Sequence, residues 1–112
     1  MSARLASAML VSALIKTVEG TGGNAMVLAK GDPMAGALLV LVADRGRIVA
    51  LRERGLLSDG TPGWIETGPS ERDDPEKLMA YIDRRRRSDP DLWVIEFDGV
   101  AVAALEAILA GA

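Results

Sequence analysis

One short polar turn, KGDPMAG at positions 30–36, holds the residue types best suited to chemistry. Its candidate ligand-binding residues are Lys30, Gly31, Asp32 and Gly36. An ammonium group beside exposed loop N–H groups suits a phosphate or carboxylate, and glycine lets such a ligand approach the backbone. The spacing is not that of a P-loop. We favour the alternative that this is a structural turn, in which Asp32 bonds its own backbone.

Arginine forms a second candidate site, a basic patch. Its residues are Arg84, Arg85, Arg86 and Arg87, together with Arg45 and Arg47. Such a patch could bind the phosphates of a nucleic acid or an acidic partner. Four successive helical residues, however, are spaced about 100° apart and cannot form one flat surface. Basic residues in the last turn of a helix also complement its dipole, so we favour that role over ligand binding.

The composition excludes several chemistries. The chain has no cysteine and no histidine, which removes disulfides, thiolate sites, Ser-His-Asp triads and the commonest metal ligand. Carboxylates surround a predicted strand at Asp89, Asp91, Glu96 and Asp98, but their spacing does not match an EF-hand. The sequence therefore predicts no catalytic residue, no metal site and no cofactor.

Charge is distributed unevenly along the chain. The net charge is −3; residues 1–56 carry seven basic and four acidic side chains, whereas residues 57–112 carry six basic and twelve acidic ones. This balance disfavours a nucleic-acid partner.

No apolar run reaches the roughly 18–20 residues that a membrane span needs, so we expect no membrane contact. Residues 4–15 loosely resemble a signal peptide, but Ser7 and Ser12 interrupt the run, and we predict a helix of a cytoplasmic protein.

The first half of the chain predicts one helix and four short strands. Apolar residues spaced by three and four indicate a helix over residues 3–20, although residues 4–8 also alternate as a strand would. Strands are expected at 24–30, 37–43, 48–53 and 64–67. Ten of the twelve glycines lie between positions 20 and 68, which is typical of a meander with tight turns.

The second half predicts a helix, a strand and a final helix. Asp74 is a good N-cap, Pro75 suits the first helical position, and residues 88–90 end the helix. A strand follows at 92–97, and then a nearly uncharged helix at 100–109. We expect one α+β domain over residues 1–112, with an antiparallel sheet of about four to five short strands and three helices mainly covering one face. The second apolar flank of the last helix suggests a homodimer.

Two segments, KGDPMAGALLVLV and RRRRSDPDLWVIEFD, resemble a family of short alphaproteobacterial proteins known as domain of unknown function 1491. The similarity spans nearly the whole chain in the same order. It implies a small cytoplasmic bacterial domain, and it brings no activity and no site residues with it.

Three hypotheses of function follow. The first is a small non-enzymatic binding or regulatory module that contacts a protein or a small anionic ligand, because no catalytic motif is present. The second is an anion-binding protein or enzyme centred on Lys30 and Asp32. The third is a nucleic-acid binder that uses the arginine clusters.

Overall fold

The computed structural model describes residues 6–71 and 74–111, which form three helices and five strands. In chain order these are α1 (Ser7–Gly20), β1 (Asn24–Ala29), β2 (Leu38–Asp44), β3 (Arg47–Leu56), β4 (Pro62–Glu66), α2 (Pro75–Ser88), β5 (Trp93–Asp98) and α3 (Val102–Ala110). None of the helices in the described part of the chain is both long and apolar enough to cross a membrane.

Helix α1 forms because its apolar residues recur on one side and are buried there. Leu10, Val11, Leu14 and Val18 are all less than 9% exposed. The predicted end at Gly20 is confirmed. Of the segment 4–8, whose state was open, residues 7 and 8 are helical, while residues 4 and 5 lie outside the described residues.

The predicted α+β class is confirmed, and the strand order adds a feature that the sequence did not reveal. The order is β1-β5-β2-β3-β4, and every neighbouring pair is antiparallel except β2 and β5, which are parallel. A simple meander would keep β1 beside β2. Here β5 lies between them, and β2 and β5, unlike β1, are buried along most of their length, as expected for strands at the centre of a sheet that is covered on both faces.

Helices cover both faces of the sheet, with two of the three on one face. Alternate residues of β2 belong to separate cores: Leu38, Val40 and Val42 pack with α1 and α3, whereas Leu39 and Leu41 pack with α2. The prediction that helices mainly cover one face is therefore confirmed for α1 and α3. Helix α2 lies on the opposite face, where it seals the second core.

Helix α2 begins as its sequence predicts. The Asp74 carboxylate accepts the backbone N–H groups of Glu76 and Lys77 at 3.0 and 3.4 Å, and Pro75 occupies the first turn. The last turn carries Arg85, Arg86 and Arg87, which complement the negative end of the helix dipole.

Candidate functional site

The turn before β2 is held by its own aspartate. The Asp32 carboxylate accepts the backbone N–H groups of Met34 and Ala35 at 3.0 and 2.8 Å. The Asp32 carbonyl oxygen accepts the N–H of Gly36 at 3.3 Å, and the Asp32 N–H donates to the Asp91 carbonyl oxygen at 3.0 Å. Most of the loop donors that an anion would need therefore already have a partner within the protein.

The two glycines of this turn allow another segment to approach it closely. A Cβ atom at Gly31 would lie 2.1 Å from the Asp91 carbonyl oxygen, and one at Gly36 would lie 2.2 Å from the same atom. Both would also press on the indole ring of Trp93. The two glycines therefore allow close contact with the segment before β5, and this contact explains them without a bound ligand.

The turn also caps helix α1. Ala6 at the N-cap position provides no side-chain hydrogen bond. Instead, the carbonyl oxygens of Met34 and Pro33 accept the N–H groups of Ser7 and Ala8 at 3.3 and 2.9 Å. The buried Ser7 hydroxyl donates to the Gly36 carbonyl oxygen at 2.6 Å. The first four N–H groups of a helix have no partner within the helix, and the turn supplies acceptors for two of them in α1.

Ligand binding by Lys30, Gly31, Asp32 and Gly36 stays a prediction, and the geometry favours the structural role. Lys30 is exposed, whereas the carboxylate of Asp32 is occupied by its own loop. The side chains brought together here connect α1, β2 and β5.

The arginines at the end of α2 have separate environments. Arg85 forms a half-buried ion pair with Glu53 of β3, and the hydrogen bonds that its guanidinium donates to the Glu53 carboxylate raise the pKa of Arg85 above its ordinary value. The Arg84 guanidinium carbon lies 5.7 Å from the centre of the Tyr81 ring. Arg86 and Arg87 are exposed. The four side chains do not share one environment.

Arg45 and Arg47 lie at the other end of the sheet. They belong to the β2–β3 hairpin, where the Asp98 carboxylate accepts the N–H groups of Arg45 and Gly46 at 3.2 and 3.1 Å. The register pairs Arg47 with Asp44, and Glu53 with Leu39. Along β2, the partners Asp44 and Leu39 are five residue steps apart, which corresponds to roughly 17 Å. The structure therefore does not join the two arginine groups into one patch.

A groove that the sequence did not indicate lies between the β3–β4 hairpin and α3. Its volume is about 550 Å³, and we call it the hairpin groove. Its lining residues are Arg52, Arg54, Leu57, Gly63, Trp64, Glu106, Leu109 and Ala110. This volume lies within the range of known small-molecule sites, roughly 300–1,000 Å³.

The polar side chains of the hairpin groove are fixed by one another. Arg52 donates to the Glu106 carboxylate at 2.6 Å and to the Leu51 carbonyl oxygen at 3.0 Å. Arg54 lies opposite Trp64 in the register of β3 and β4, and its guanidinium carbon lies 5.4 Å from the centre of the indole ring. Two guanidinium groups and an aromatic surface therefore face one concavity.

Helix α3 forms the other wall, and Trp64 fastens it. The Trp64 indole N–H donates to the Leu109 carbonyl oxygen at 3.0 Å. Leu57 closes one end, packing so tightly on Gly63 that a Cβ atom there would lie 2.6 Å from the leucine. The i and i+2 spacing of Arg52 and Arg54 puts them on one strand face, but only the tertiary position of α3 makes that face a groove.

Metal binding finds no support in the described ranges. Across residues 6–71 and 74–111, no group of three or more aspartate or glutamate side chains is arranged to hold a metal ion.

Comparison with known proteins identifies the family. A model of proteins of unknown function (DUF1491) matches residues 5–106, so the chain belongs to this family and the resemblance of its two segments is confirmed. The crystal structure of a DUF1491 family protein from Caulobacter crescentus CB15 is 36% identical, with a TM-score of 0.74 over 85% of this chain and 88% of that one. A solution structure of a protein from A. tumefaciens is 33% identical, with a TM-score of 0.75 over 93% of each chain. No curated protein matches the chain.

Proposed function

We propose that this member of the DUF1491 family is a binding module whose site is the hairpin groove. Its ligand carries a carboxylate or phosphate beside an apolar group. The observation that carries the proposal is the placement of Arg52, Arg54 and Trp64 around one concavity with apolar walls.

Arg54 provides the first recognition element. A guanidinium stacked on an indole keeps its N–H groups in the plane of the fork, at the edge where a carboxylate or phosphate can be bound. Trp64 is itself held by its bond to Leu109, so the stacked pair is rigid before a ligand arrives. Rigidity of this kind lowers the entropy lost on binding.

Arg52 and the apolar wall provide the second element. The Arg52 side chain is 15% exposed and is oriented by Glu106, which is 54% exposed. Its charge attracts an anion at close range, and Leu57 and Leu109 receive the apolar part of the ligand. Arg54 lines the same concavity beside the pair of Arg52 and Glu106.

Binding suits this site better than proton transfer does. Among the residues that line the hairpin groove, Glu106 is the one carboxylate, and it is in an ion pair with Arg52. A general base needs a free carboxylate within reach of its substrate, and acid–base work usually divides between two titratable groups.

A matched pair of probes tests the proposal on the labelled protein. N-acetyl-leucine carries a carboxylate on an apolar side chain, and N-acetyl-leucinamide is the same molecule without the charge. We expect the Trp64 indole resonance and the amides of β3 and α3 to shift with the acid, at millimolar concentration, and not with the amide. Arg54→Gln should abolish the shifts, while Arg86→Gln, which removes an exposed arginine of α2, should not.

Two results contradict the proposal. One is a silent hairpin groove with both N-acetyl-leucine and inorganic phosphate. The other is an equal response to acid and amide, which would mean simple apolar contact. Shifts confined to residues 30–36 would instead support the anion site at Lys30.

We also propose a cytoplasmic location. The apolar N-terminal segment is built into the core through α1, with Leu14 and Val18 at most 3% exposed, as suits a permanent part of the fold. Fractionation of cells producing the tagged protein tests this: recovery in the periplasmic fraction would contradict it.

A further inference from the structure

The edge strand β1 exposes an uncharged apolar surface. Met26, Val27 and Leu28 are 59%, 41% and 44% exposed, and they follow one another in the chain. Among the described residues β1 pairs with β5 alone, so alternate N–H and C=O groups along its outer side face away from the sheet. Natural proteins protect such edges because an unpaired strand is a template for another strand.

The opposite edge of the sheet carries the usual protection. Strand β4 begins at Pro62, ends at Glu66 and is five residues long. Proline and charge are the common devices against stray pairing. In β1, the sequence NAMVLA has neither, and its one irregularity is a register shift at Leu28. The regular part, residues 24–27, remains open to pairing.

From this contrast we infer that β1 pairs antiparallel with β1 of a second copy of this chain, joining two sheets into one. The unpaired backbone groups specify an extended strand as the occupant. The same strand of a second copy fits because no like charges meet: centring the pairing on Met26 sets Ala25 opposite Val27 and leaves the two Lys30 side chains at opposite ends. A two-fold interface is self-complementary in this way.

The two faces of β1 differ in how the helices cover them. Helix α2 contacts the β3 and β4 side, through Glu53 and Thr67, so it lies away from Met26. Helix α1 lies over β1 on the other face, where Val27 is opposite Ile95 of the first core. In the proposed dimer the two Met26 side chains meet on the α2 face, and Val27 meets Ala25 on the α1 face.

Molar mass against concentration tests the inference. Sedimentation equilibrium from low micromolar to millimolar protein should show a rise from the mass of one chain to that of two. Met26→Lys places two ammonium groups opposite each other and should weaken the dimer by about tenfold or more. The matched control is Met79→Lys, since Met79 is 55% exposed and lies on α2, outside the sheet; it should leave the dimer unchanged.

A second readout needs no variant. In a mixture of labelled and unlabelled protein, isotope-filtered spectra should show contacts between the Met26 methyl groups of two copies. A single-chain mass at millimolar concentration would overturn the inference. So would a dimer whose intermolecular contacts lie on Ala104 and Ala107 of α3, the helix that the sequence suggested, or one that Met79→Lys weakens equally.

Discussion

The indole N–H of Trp93 donates a hydrogen bond of 2.7 Å to the carbonyl oxygen of Asp32, 61 positions earlier in the chain. This bond joins the two segments that mark the family, the turn before β2 and the start of β5. Gly31 and Gly36 lack the Cβ atoms that would collide with Trp93 and Asp91, and the Asp91 carbonyl oxygen accepts the N–H of Asp32. The turn therefore acts as a junction between α1, β2 and β5.

Removing this bond should weaken the fold. Trp93→Phe keeps an aromatic ring in the core, where Trp93 is 4% exposed, but leaves the Asp32 carbonyl oxygen with the weaker 3.3 Å bond from Gly36. We expect a loss of about 1–2 kcal/mol in the free energy of unfolding, measured by urea denaturation. Trp64→Phe is the control: its acceptor is at the end of α3, where water can replace the indole, so a smaller loss is expected. Equal losses would contradict this view.

Adding one methyl group at Gly36 should be strongly destabilising. In Gly36→Ala the new Cβ atom meets the Asp91 carbonyl oxygen at 2.2 Å, and backbone must move to relieve it. We expect a loss of at least about 2 kcal/mol in thermal or urea unfolding. Gly20→Ala, where the Cβ atom meets nothing within 4 Å, should be neutral or slightly stabilising. A tolerated Gly36→Ala would mean that the junction is loose.

Two substitutions separate the hydrogen bonds that Asp32 accepts from the effect of its negative charge. Asn keeps an oxygen that can accept the N–H groups of Met34 and Ala35, whereas Ala does not. We therefore expect Asp32→Asn to retain nearly full stability and Asp32→Ala to lose about 1–2 kcal/mol in urea unfolding. If both variants lost the same stability, the negative charge of Asp32, and not its hydrogen bonds, would be what matters.

The loop before β4 provides a test by pH. The Thr61 hydroxyl and backbone N–H donate to the Asp59 carboxylate at 2.6 and 3.0 Å, and they lower the pKa of Asp59 below its ordinary value. A lowered pKa means that the charged form favours the folded loop, so this contribution is present above the unfolded pKa and is lost as pH falls through the folded one. Because Asp59 is fully exposed, the effect on stability is small.

Carboxyl carbon shifts followed against pH measure the effect directly. Thr61→Val removes the hydroxyl donor and should raise the pKa of Asp59 toward its ordinary value. Thr17→Val is the control, because the Thr17 hydroxyl donates to the Ala13 carbonyl oxygen and touches no carboxylate. An unchanged Asp59 pKa in Thr61→Val would show that the hydroxyl does not hold the carboxylate.

The sequence by itself determined the local structure of this protein. Asp74 and Pro75 start α2 because their conformational preferences act within one helical turn, and the spacing of Leu10, Leu14 and Val18 specifies an amphipathic helix in the same way. Asp32 fixes its own turn with two short-range hydrogen bonds. These effects connect residues a few positions apart, so they can be read along the chain.

Tertiary structure alone decided which strands are neighbours in the sheet and which distant residues are in contact. Strand β5 lies between β1 and β2, although β1 is less charged than β5, so the order depends on how all the strands and helices pack together and no single segment encodes it. That insertion brings Trp93 to Asp32 and leaves β1 at the edge. It was likewise the packing of α3 against Trp64 that turned Arg52 and Arg54 into the wall of a groove, since contacts between residues far apart in sequence depend on the completed fold.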